Sequence, residues 1–433
     1  MVYTHQVFGV SSSISDFSYV DRDNLDKKLL RLLNRETHIA IKGPSKCGKS
    51  WLRKRCMENA ITVQCRLGMN TLDIYRLALS SIDVRFDVQK ASTNSVSIEA
   101  EGKGKLKIPL ISEAELGGTI SANHENNTEV GVDFSTSINN LEFIARSIIQ
   151  SGKRLVIEDF HYLDSTVRQQ FAHDLKTFWD YNCFIVIIGI WTQTNLLTYM
   201  NPDLTGRIEE LSISWTNKDL ELVINHGCNA LNIEIDQTIT KDLIADSFGN
   251  VGILQSLLLR LVEDEADISC SADHCQVIAK PEYYVNAAKS YAEQLDGLYQ
   301  QFAQTLSVGI RRRKNSTGIY ALAMQAIVNA SDKELVEGFS RAAIFDATHE
   351  IEPRIQKGNL KTVLKMLVKL QNPQAGHDLV ISYDESIDAV FAIDLQLLFY
   401  RKHHTLKWPW EEMAEEARQL SLFEPESEAN EII

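Results

Sequence analysis

Residues 43–50 constrain the fold more than any other part of the chain. They run Gly-Pro-Ser-Lys-Cys-Gly-Lys-Ser and match the pattern Gly-x-x-x-x-Gly-Lys-Ser/Thr at every fixed position. An apolar, strand-like segment precedes them, and a helix-like segment follows. In this context, backbone N–H groups at the helix N-terminus surround phosphate oxygens. The motif therefore predicts an α/β fold that contains a phosphate-binding loop (P-loop).

The same loop predicts the ligands. Lys49 would reach the β- and γ-phosphates of ATP, and the Ser50 hydroxyl would bind Mg²⁺. ATP and Mg²⁺ are therefore the predicted nucleotide and metal cofactor. The other nucleotide contacts expected on and beside the loop are Gly43, Pro44, Ser45, Lys46, Cys47, Gly48 and Trp51.

A second apolar strand, residues 155–157, ends in the two carboxylates Glu158 and Asp159. Carboxylates at the end of a buried strand need a ligand or a partner. In P-loop enzymes, one acid organises Mg²⁺ and a second orients or deprotonates the attacking water. We assign Glu158 to Mg²⁺ and Asp159 to the water, although the sequence leaves the order of the two roles open.

Composition changes along the chain predict four parts. Residues 1–215 would form the nucleotide-binding core, in which apolar strands alternate with helices as in a buried parallel sheet. A segment rich in Gly, Ser and Asn, residues 88–140, would be a β-rich insertion. A helical lid would follow at 216–275, then a mainly helical domain at 281–408 and an acidic tail at 409–433.

Taken together, these motifs resemble those of the AAA+ ATPases and the related STAND-type signalling ATPases. The resemblance covers about residues 8–275 and, in outline, the C-terminal domain. It implies that the segment before the first long helix lines the adenine base. The residues that it places there are Tyr19, Val20 and Arg22.

The resemblance also implies two further catalytic groups. Thr192, at the end of the next core strand, would touch the γ-phosphate or the water. Arg207 would be an arginine finger that reaches ATP on a neighbouring subunit, or else it forms a surface ion pair. Two departures from the family oppose rapid turnover and full lid closure. The two acids stand in reversed order, and Gly252 occupies the place of a nucleotide-sensing arginine.

Residues 281–408 resemble the winged-helix domain of origin-recognition-type initiators and archaeal ATPases. One predicted helix carries a lysine at every fourth position, which puts the lysines on one face. Such a stripe suits DNA phosphates, but it is also common on solvated amphipathic helices. The lysines of this stripe are Lys357, Lys361, Lys365 and Lys369.

The net charge of −14 argues against a protein that coats DNA indiscriminately. The uneven distribution of this charge along the chain is nevertheless compatible with DNA contact at one local site. Residues 409–433 contain eight glutamates and one arginine, which accounts for half of the excess. Residues 276–408, in contrast, carry 16 basic and 14 acidic side chains.

The tail contains a Gln-Leu-Ser-Leu-Phe pentapeptide that resembles the peptide with which bacterial proteins bind the replication sliding clamp. A disordered peptide of this kind can insert its apolar side chains into a groove and fold on binding. Alternatively, those side chains pack back on the protein itself. The pentapeptide consists of Gln419, Leu420, Ser421, Leu422 and Phe423.

Two functions fit these patterns. The first is an ATPase that assembles with ATP into a ring or filament and acts as a DNA-associated switch or matchmaker. Replication, transposition-target selection or phage defence would suit it, with recruitment by the sliding clamp. The second is a STAND-like signalling or scaffold protein with little turnover, whose partner is a protein effector. The absence of a long apolar run and of a signal peptide, with seven scattered cysteines, predicts a cytoplasmic location and no membrane partner.

Overall fold

The computed structural model describes residues 1–84, 140–191, 193–308, 318–371, 379–385 and 387–411. Three sequence predictions concern residues outside these ranges. They are the insertion from residue 88 to residue 139, Thr192, and the clamp-like peptide at 419–423. Within the described ranges, no helix combines the length and the apolarity needed to cross a bilayer.

A five-stranded parallel sheet forms the centre of the N-terminal part. Its strands are β1 (His38–Lys42), β2 (Ile61–Gln64), β3 (Leu155–Glu158), β4 (Val186–Gly189) and β5 (Ile208–Ser212). The strand order is β2-β3-β4-β1-β5, and every neighbouring pair is parallel. The predicted α/β fold around a buried parallel sheet is confirmed.

Helices cover both faces of this sheet because its strand residues alternate between two apolar clusters. One face packs on the helices Leu25–Leu33 and Lys49–Cys56 through a cluster that includes Leu29 and Ile41. The other face packs on a larger helical layer through residues such as Ile157. The helices of that layer are Thr71–Ser80, Leu141–Gln150, Ser165–Asp180 and the short Leu196–Met200.

The lid follows the sheet as a helical unit. Its helices are Asn217–Leu231, Gln237–Asp246 and Val251–Leu259, the last continuing into a π-helical turn at Arg260–Glu265. A short parallel pair, β6 (Ile233–Ile235) and β7 (Gln276–Ile278), completes it. The N-terminal helix Thr4–Val7 packs on this unit, since Phe8 lies against Gly227 and Thr4 Oγ1 donates to the carbonyl of Ile268 at 2.6 Å.

The C-terminal part is mainly helical, as predicted. Its helices are Pro281–Val308, Ile319–Asn329, Asp332–Glu337, Arg341–Ile351, Lys357–Leu370 and Gln396–His403. A small antiparallel sheet has the order β8 (Phe339–Ser340), β10 (Ala389–Ala392), β9 (Ile381–Asp384). The lysine-bearing helix is therefore followed by the β9–β10 hairpin.

The helix Gln396–His403 joins the C-terminal part to the lid. Its residues Lys402 and His403 both bind the carboxylate of Asp246, which is 2% exposed; His403 Nε2 lies 2.7 Å from Oδ2. Tyr284, on the helix Pro281–Val308, donates to the same carboxylate. This buried acid is thus one link between the two units, whose buried apolar residues also form a single cluster.

Replacement of Asp246 should change how the free energy of unfolding depends on pH. Burial opposes the ionisation of Asp246, but the hydrogen bonds from His403, Lys402 and Tyr284 outweigh it and lower its pKa to about 2. The folded pKa lies below the unfolded value, so the ionised group stabilises the fold above about pH 4 and loses this effect as the pH falls towards 2. We expect Asp246→Asn to lower the free energy of unfolding by about 2 kcal/mol at pH 7.

Urea denaturation from pH 7 to pH 2 measures this effect. The difference between wild type and Asp246→Asn should shrink between about pH 4 and pH 2. Asp180→Asn is the control, because Asp180 forms an exposed pair with Lys176 that should contribute little. Equal stability of wild type and Asp246→Asn at pH 7 would contradict the prediction.

Candidate functional site

The segment at 43–50 forms a tight loop between the carboxyl end of β1 and the helix Lys49–Cys56. Gly48 has a φ of +89°, in the left-handed region that suits glycine, and it is the N-cap of that helix. The ammonium of Lys49 donates to the carbonyls of Gly43, at 3.0 Å, and Pro44, at 2.5 Å. These bonds fix the Lys49 cation within the loop at the N-terminus of a helix, a position that favours anions such as phosphate.

The loop opens into a cavity of about 330 Å³. Most of the sequence-predicted nucleotide contacts line it, which brings the predicted adenine-side segment and the loop together. The predicted residues along its wall are Tyr19, Val20, Arg22, Ser45, Lys46, Cys47, Gly48, Lys49, Ser50, Trp51 and Asp159. Among the other predicted residues, Gly43, Pro44, Glu158 and Arg207 are not part of this wall.

Further residues of the wall have no motif that would have identified them. They come from the N-terminal loop, the turn after β3, the ends of β4 and β5, and the lid. These residues are Gly9, Val10, Ser11, Ser18, His161, Tyr162, Ile190, Trp215, Val251, Gly252 and Gln255, of which the sequence pointed only to Gly252.

Trp215 and Arg22 support the loop from the side of the predicted base pocket. The indole Nε1 of Trp215 donates to the carbonyl of Cys47 at 2.9 Å, and the Arg22 guanidinium lies 4.3 Å from the indole centroid. Arg22 is only 4% exposed, and this burial lowers its pKa. Tyr19 is fixed by a 2.7 Å hydrogen bond to Asp26, and its burial raises its pKa.

The two acids after β3 face different surroundings. Glu158 is 8% exposed and accepts a hydrogen bond from Arg53 Nε at 3.1 Å. Asp159 has a left-handed φ of +56°, which turns it away from the strand direction and onto the cavity wall. Gln64, the last residue of β2, donates to Asp159 Oδ2 at 2.9 Å. Asp159 therefore lines the cavity, with Ser50 on the same wall, while Glu158 is paired outside it.

Arg207 lies at the other end of the sheet. It immediately precedes β5, whose parallel register with β1 puts it opposite the edge that carries the loop. Its guanidinium stacks on Trp179, 4.8 Å from the ring centroid. Arg207 therefore does not reach the cavity of its own chain.

The lid contacts the apex of the loop directly. Asn250, which is 1% exposed, donates through Nδ2 to the Ser45 carbonyl at 2.8 Å and caps the lid helix by accepting from Gly252 N. A Cβ at Gly252 would lie 2.5 Å from Lys46 Cβ and 2.8 Å from its carbonyl oxygen. Close packing therefore explains why this position holds no arginine. Arg260 does not replace one, since it packs on Tyr291 in the C-terminal part.

The lysine stripe lies on the surface of the helix Lys357–Leu370, where three of its four lysines are exposed. The neighbouring hairpin turn is acidic. Lys365 pairs with Glu385 at 2.5 Å, and Asp388, near Lys361, is held by Arg341 at 2.7 Å. The stripe is accessible, but nearby carboxylates offset part of its charge.

No protein-family model and no curated protein matches the sequence. Several solved structures are similar in overall arrangement. One is the Aeropyrum pernix Orc1 protein in complex with DNA, at 10% identity and a TM-score of 0.40, with 95% of this chain and 96% of that chain covered. Another is the Thermotoga maritima RuvB Holliday junction branch migration motor, at 12% identity and a TM-score of 0.35, with coverages of 86% and 91%.

A third similar structure is a STAND protein with a tetratricopeptide repeat sensor from Pyrococcus horikoshii. The identity is 12% and the TM-score 0.34, and the match covers 97% of this chain but 47% of that chain. Because these TM-scores are low, the functional conclusion rests on the phosphate loop and its cavity and not on the similar structures.

The close approach of the lid to the loop yields a stability prediction. In Gly252→Ala the new methyl group must displace Lys46, so we expect the free energy of unfolding to fall by about 1–3 kcal/mol. Gly297→Ala is the matched control, since the residue is helical and no atom lies within 4 Å of the place that a Cβ would take there. It should raise stability by about 0.5–1 kcal/mol. Denaturant unfolding measures both, and equal effects would contradict the packing described.

Proposed function

We propose that the protein is an ATP-binding P-loop ATPase of the AAA+ type that works as a nucleotide-dependent switch. The supporting observation is that Lys49, Ser50 and Asp159 line one cavity at the carboxyl edge of a parallel sheet. Ligands of open α/β sheets bind at this edge. The cavity continues to Tyr19 and Trp215, which gives an aromatic side for a base.

Each residue has a task in this proposal. The backbone N–H groups at the start of the helix Lys49–Cys56, together with the Lys49 ammonium, bind the β- and γ-phosphates. Ser50 and Asp159 provide oxygen donors of the kind that Mg²⁺ prefers, and the metal would neutralise phosphate charge. Gln64 orients Asp159. Because Glu158 is paired with Arg53, Asp159 is the one acid among the described residues that lines the cavity, where rapid hydrolysis uses two, and we expect slow turnover.

Assembly and DNA contact belong to the same proposal. Arg207 would act on ATP held by a neighbouring copy, which is supported by its distance from the cavity of its own chain. The exposed face of the lysine stripe would contact DNA phosphates. Recruitment by a sliding clamp through residues 419–423 is proposed from the sequence alone.

Lys49→Ala tests the nucleotide site. Loss of the charged contact should weaken ATP binding by about 100-fold, because a hydrogen bond to a charged group is worth up to about 3 kcal/mol. Calorimetric titration measures this, with Lys176→Ala, in an exposed surface pair, as the control. Wild-type affinity in Lys49→Ala would contradict the proposal.

The same proteins test assembly by gel filtration with ATP, in the presence and absence of duplex DNA. Wild type should form larger species that Lys49→Ala and Arg207→Ala do not form. A wild type that stays monomeric under all these conditions would contradict the assembly part alone, since nucleotide binding is measured separately.

The second candidate function, a STAND-like signalling protein, is favoured by one specific contact. The ammonium of Lys46, on the phosphate loop, donates to Gln396 Oε1 at 2.8 Å. Gln396 is 4% exposed and begins the helix Gln396–His403, while Asp394 beside it accepts from Gln396 N at 3.0 Å and from Tyr299 at 2.8 Å. A change at the loop would thus pass directly to the C-terminal domain, where a protein effector would bind.

Lys46→Met tests this contact without altering the buried core, since Lys46 lies at the surface. Loss of the hydrogen bond should raise amide hydrogen exchange in the helix Gln396–His403 by about tenfold in the absence of nucleotide. Lys27→Met, also exposed, is the control. Unchanged exchange in this helix would exclude the contact as a link between the two parts.

A further inference from the structure

The chain between residues 9 and 18 forms one side of the cavity beside the phosphate loop. Val10 and Ser11 belong to the cavity wall, yet Val10 is 59% exposed and Ser11 is also exposed. Residues that face both the cavity and the solvent form a wall that is a single chain thick. The lid helix on the same wall is, in contrast, backed by a buried cluster that includes Leu254 and Leu257. The exposed middle of this loop can therefore move without unpacking such a cluster.

Gln255 of the lid, which is 4% exposed, fixes both ends of the loop. Its Oε1 accepts from the backbone N–H of Gly9 at 3.0 Å, and its Nε2 donates to Ser18 Oγ at 3.1 Å. The Ser18 hydroxyl in turn donates to the carbonyl of Val7 at 2.7 Å. Buried hydrogen bonds are costly to break, because a partner left behind loses its bond without gaining one to water. Gln255 thus marks the two points between which the loop can move.

The middle of the loop is held by the helix that follows the phosphate loop. The three contacts are Trp51 Nε1 to the Ser11 carbonyl at 2.9 Å, the Lys54 ammonium to the Ser12 carbonyl, and Arg55 Nη1 to Asp16 Oδ1 at 3.2 Å. The contacts of Lys54 and Arg55 lie outside the cavity wall. They are also solvent-exposed, with the Asp16 side chain 84% exposed. Exposed polar contacts contribute little each and break readily.

The difference between strong contacts at the ends and weak contacts in the middle confines any movement to residues 10–17. All eight are exposed or half-buried. Segments with few buried contacts open locally at a low free energy. Tyr19 stays outside this movement, because it donates to Asp26 at 2.7 Å and its ring lies 4.5 Å from the Arg55 guanidinium. Opening would therefore uncover the cavity and leave in place the tyrosine that is predicted to line the base.

We infer that residues 10–17 form a flap over the nucleotide site, which opens to admit and to release nucleotide. Gln255 is the hinge of this flap, and the contacts of Lys54 and Arg55 are its latch. The inference rests on the proposed nucleotide binding and concerns the rates of exchange. While the closed form predominates, a weaker latch raises the association and dissociation rate constants by the same factor. Their ratio, which is the dissociation constant, then stays the same.

Stopped-flow fluorescence of the full-length chain with a fluorescent ADP analogue and Mg²⁺ tests this inference. The double variant Lys54→Met with Asp16→Asn removes both latch contacts, alters no residue of the cavity wall and leaves the net charge unchanged. Its association and dissociation rate constants should each rise about tenfold, since two exposed polar contacts no longer oppose opening. Its dissociation constant should change less than about twofold.

Lys176→Met with Asp180→Asn is the matched control, because it makes the same two changes in an exposed pair away from the cavity. Its rate constants should equal those of wild type. Amide hydrogen exchange without nucleotide gives a second readout, and in the latch variant it should rise about tenfold at residues 10–17. Circular dichroism establishes that each variant is folded. If the latch variant does not fold, Asp16→Asn alone decides, by a rise of about threefold in both rate constants.

Three outcomes overturn the inference and leave the proposed function standing. The first is a folded latch variant with the rate constants of wild type. The second is a rise in the dissociation rate constant alone, which would indicate a lost contact with the nucleotide and not a flap. The third is unchanged amide exchange at residues 10–17. A wild type that binds no nucleotide overturns the proposed function, and the inference with it.

Discussion

The contacts at the apex of the phosphate loop are the constraint on which the rest of the structure depends. Three parts of the chain meet there. Asn250 of the lid holds the Ser45 carbonyl, Gly252 packs on Lys46, and Gln396 of the C-terminal domain accepts from the Lys46 ammonium. Asn250, Gly252 and Gln396 are all buried, so these contacts with the loop cannot shift unless their close-packed neighbours also move. The loop at residues 43–50 is therefore also the joint between the parallel-sheet core, the lid and the C-terminal domain.

This joint has a thermodynamic consequence. Coupling between two sites is reciprocal, so a ligand that alters the loop alters the docking of the lid and the C-terminal domain by the same free energy. The helix Gln396–His403 makes docking contacts at both of its ends. Gln396 contacts the loop, and His403 contacts Asp246 of the lid. The proposed switch thus needs no distant pathway, only a change in which groups the loop contacts.

Motif and pattern were enough to predict the parallel sheet, the loop and its cation, because these follow from local spacing and alternation. The strand–loop–helix order positions Lys49 and Ser50 with little help from the remainder of the chain. The acids after β3 show the limit of such reasoning. Glu158 and Asp159 are neighbours in sequence, yet only Asp159 lines the cavity, because its left-handed backbone and Gln64 direct one side chain while Arg53 captures the other.

The sequence by itself determined that the chain builds a strand, a loop of the P-loop pattern and a helix on a parallel sheet, since these depend on residues within a few positions of one another. Only the tertiary structure decided what surrounds that loop. Trp215 reaches it from 168 positions away and Gln396 contacts Lys46 from 350 positions away, contacts that no local pattern encodes. Gly252 shows the same difference. The sequence shows only that the arginine of the resembling family is missing at this position. The fold shows that a side chain there would collide with Lys46.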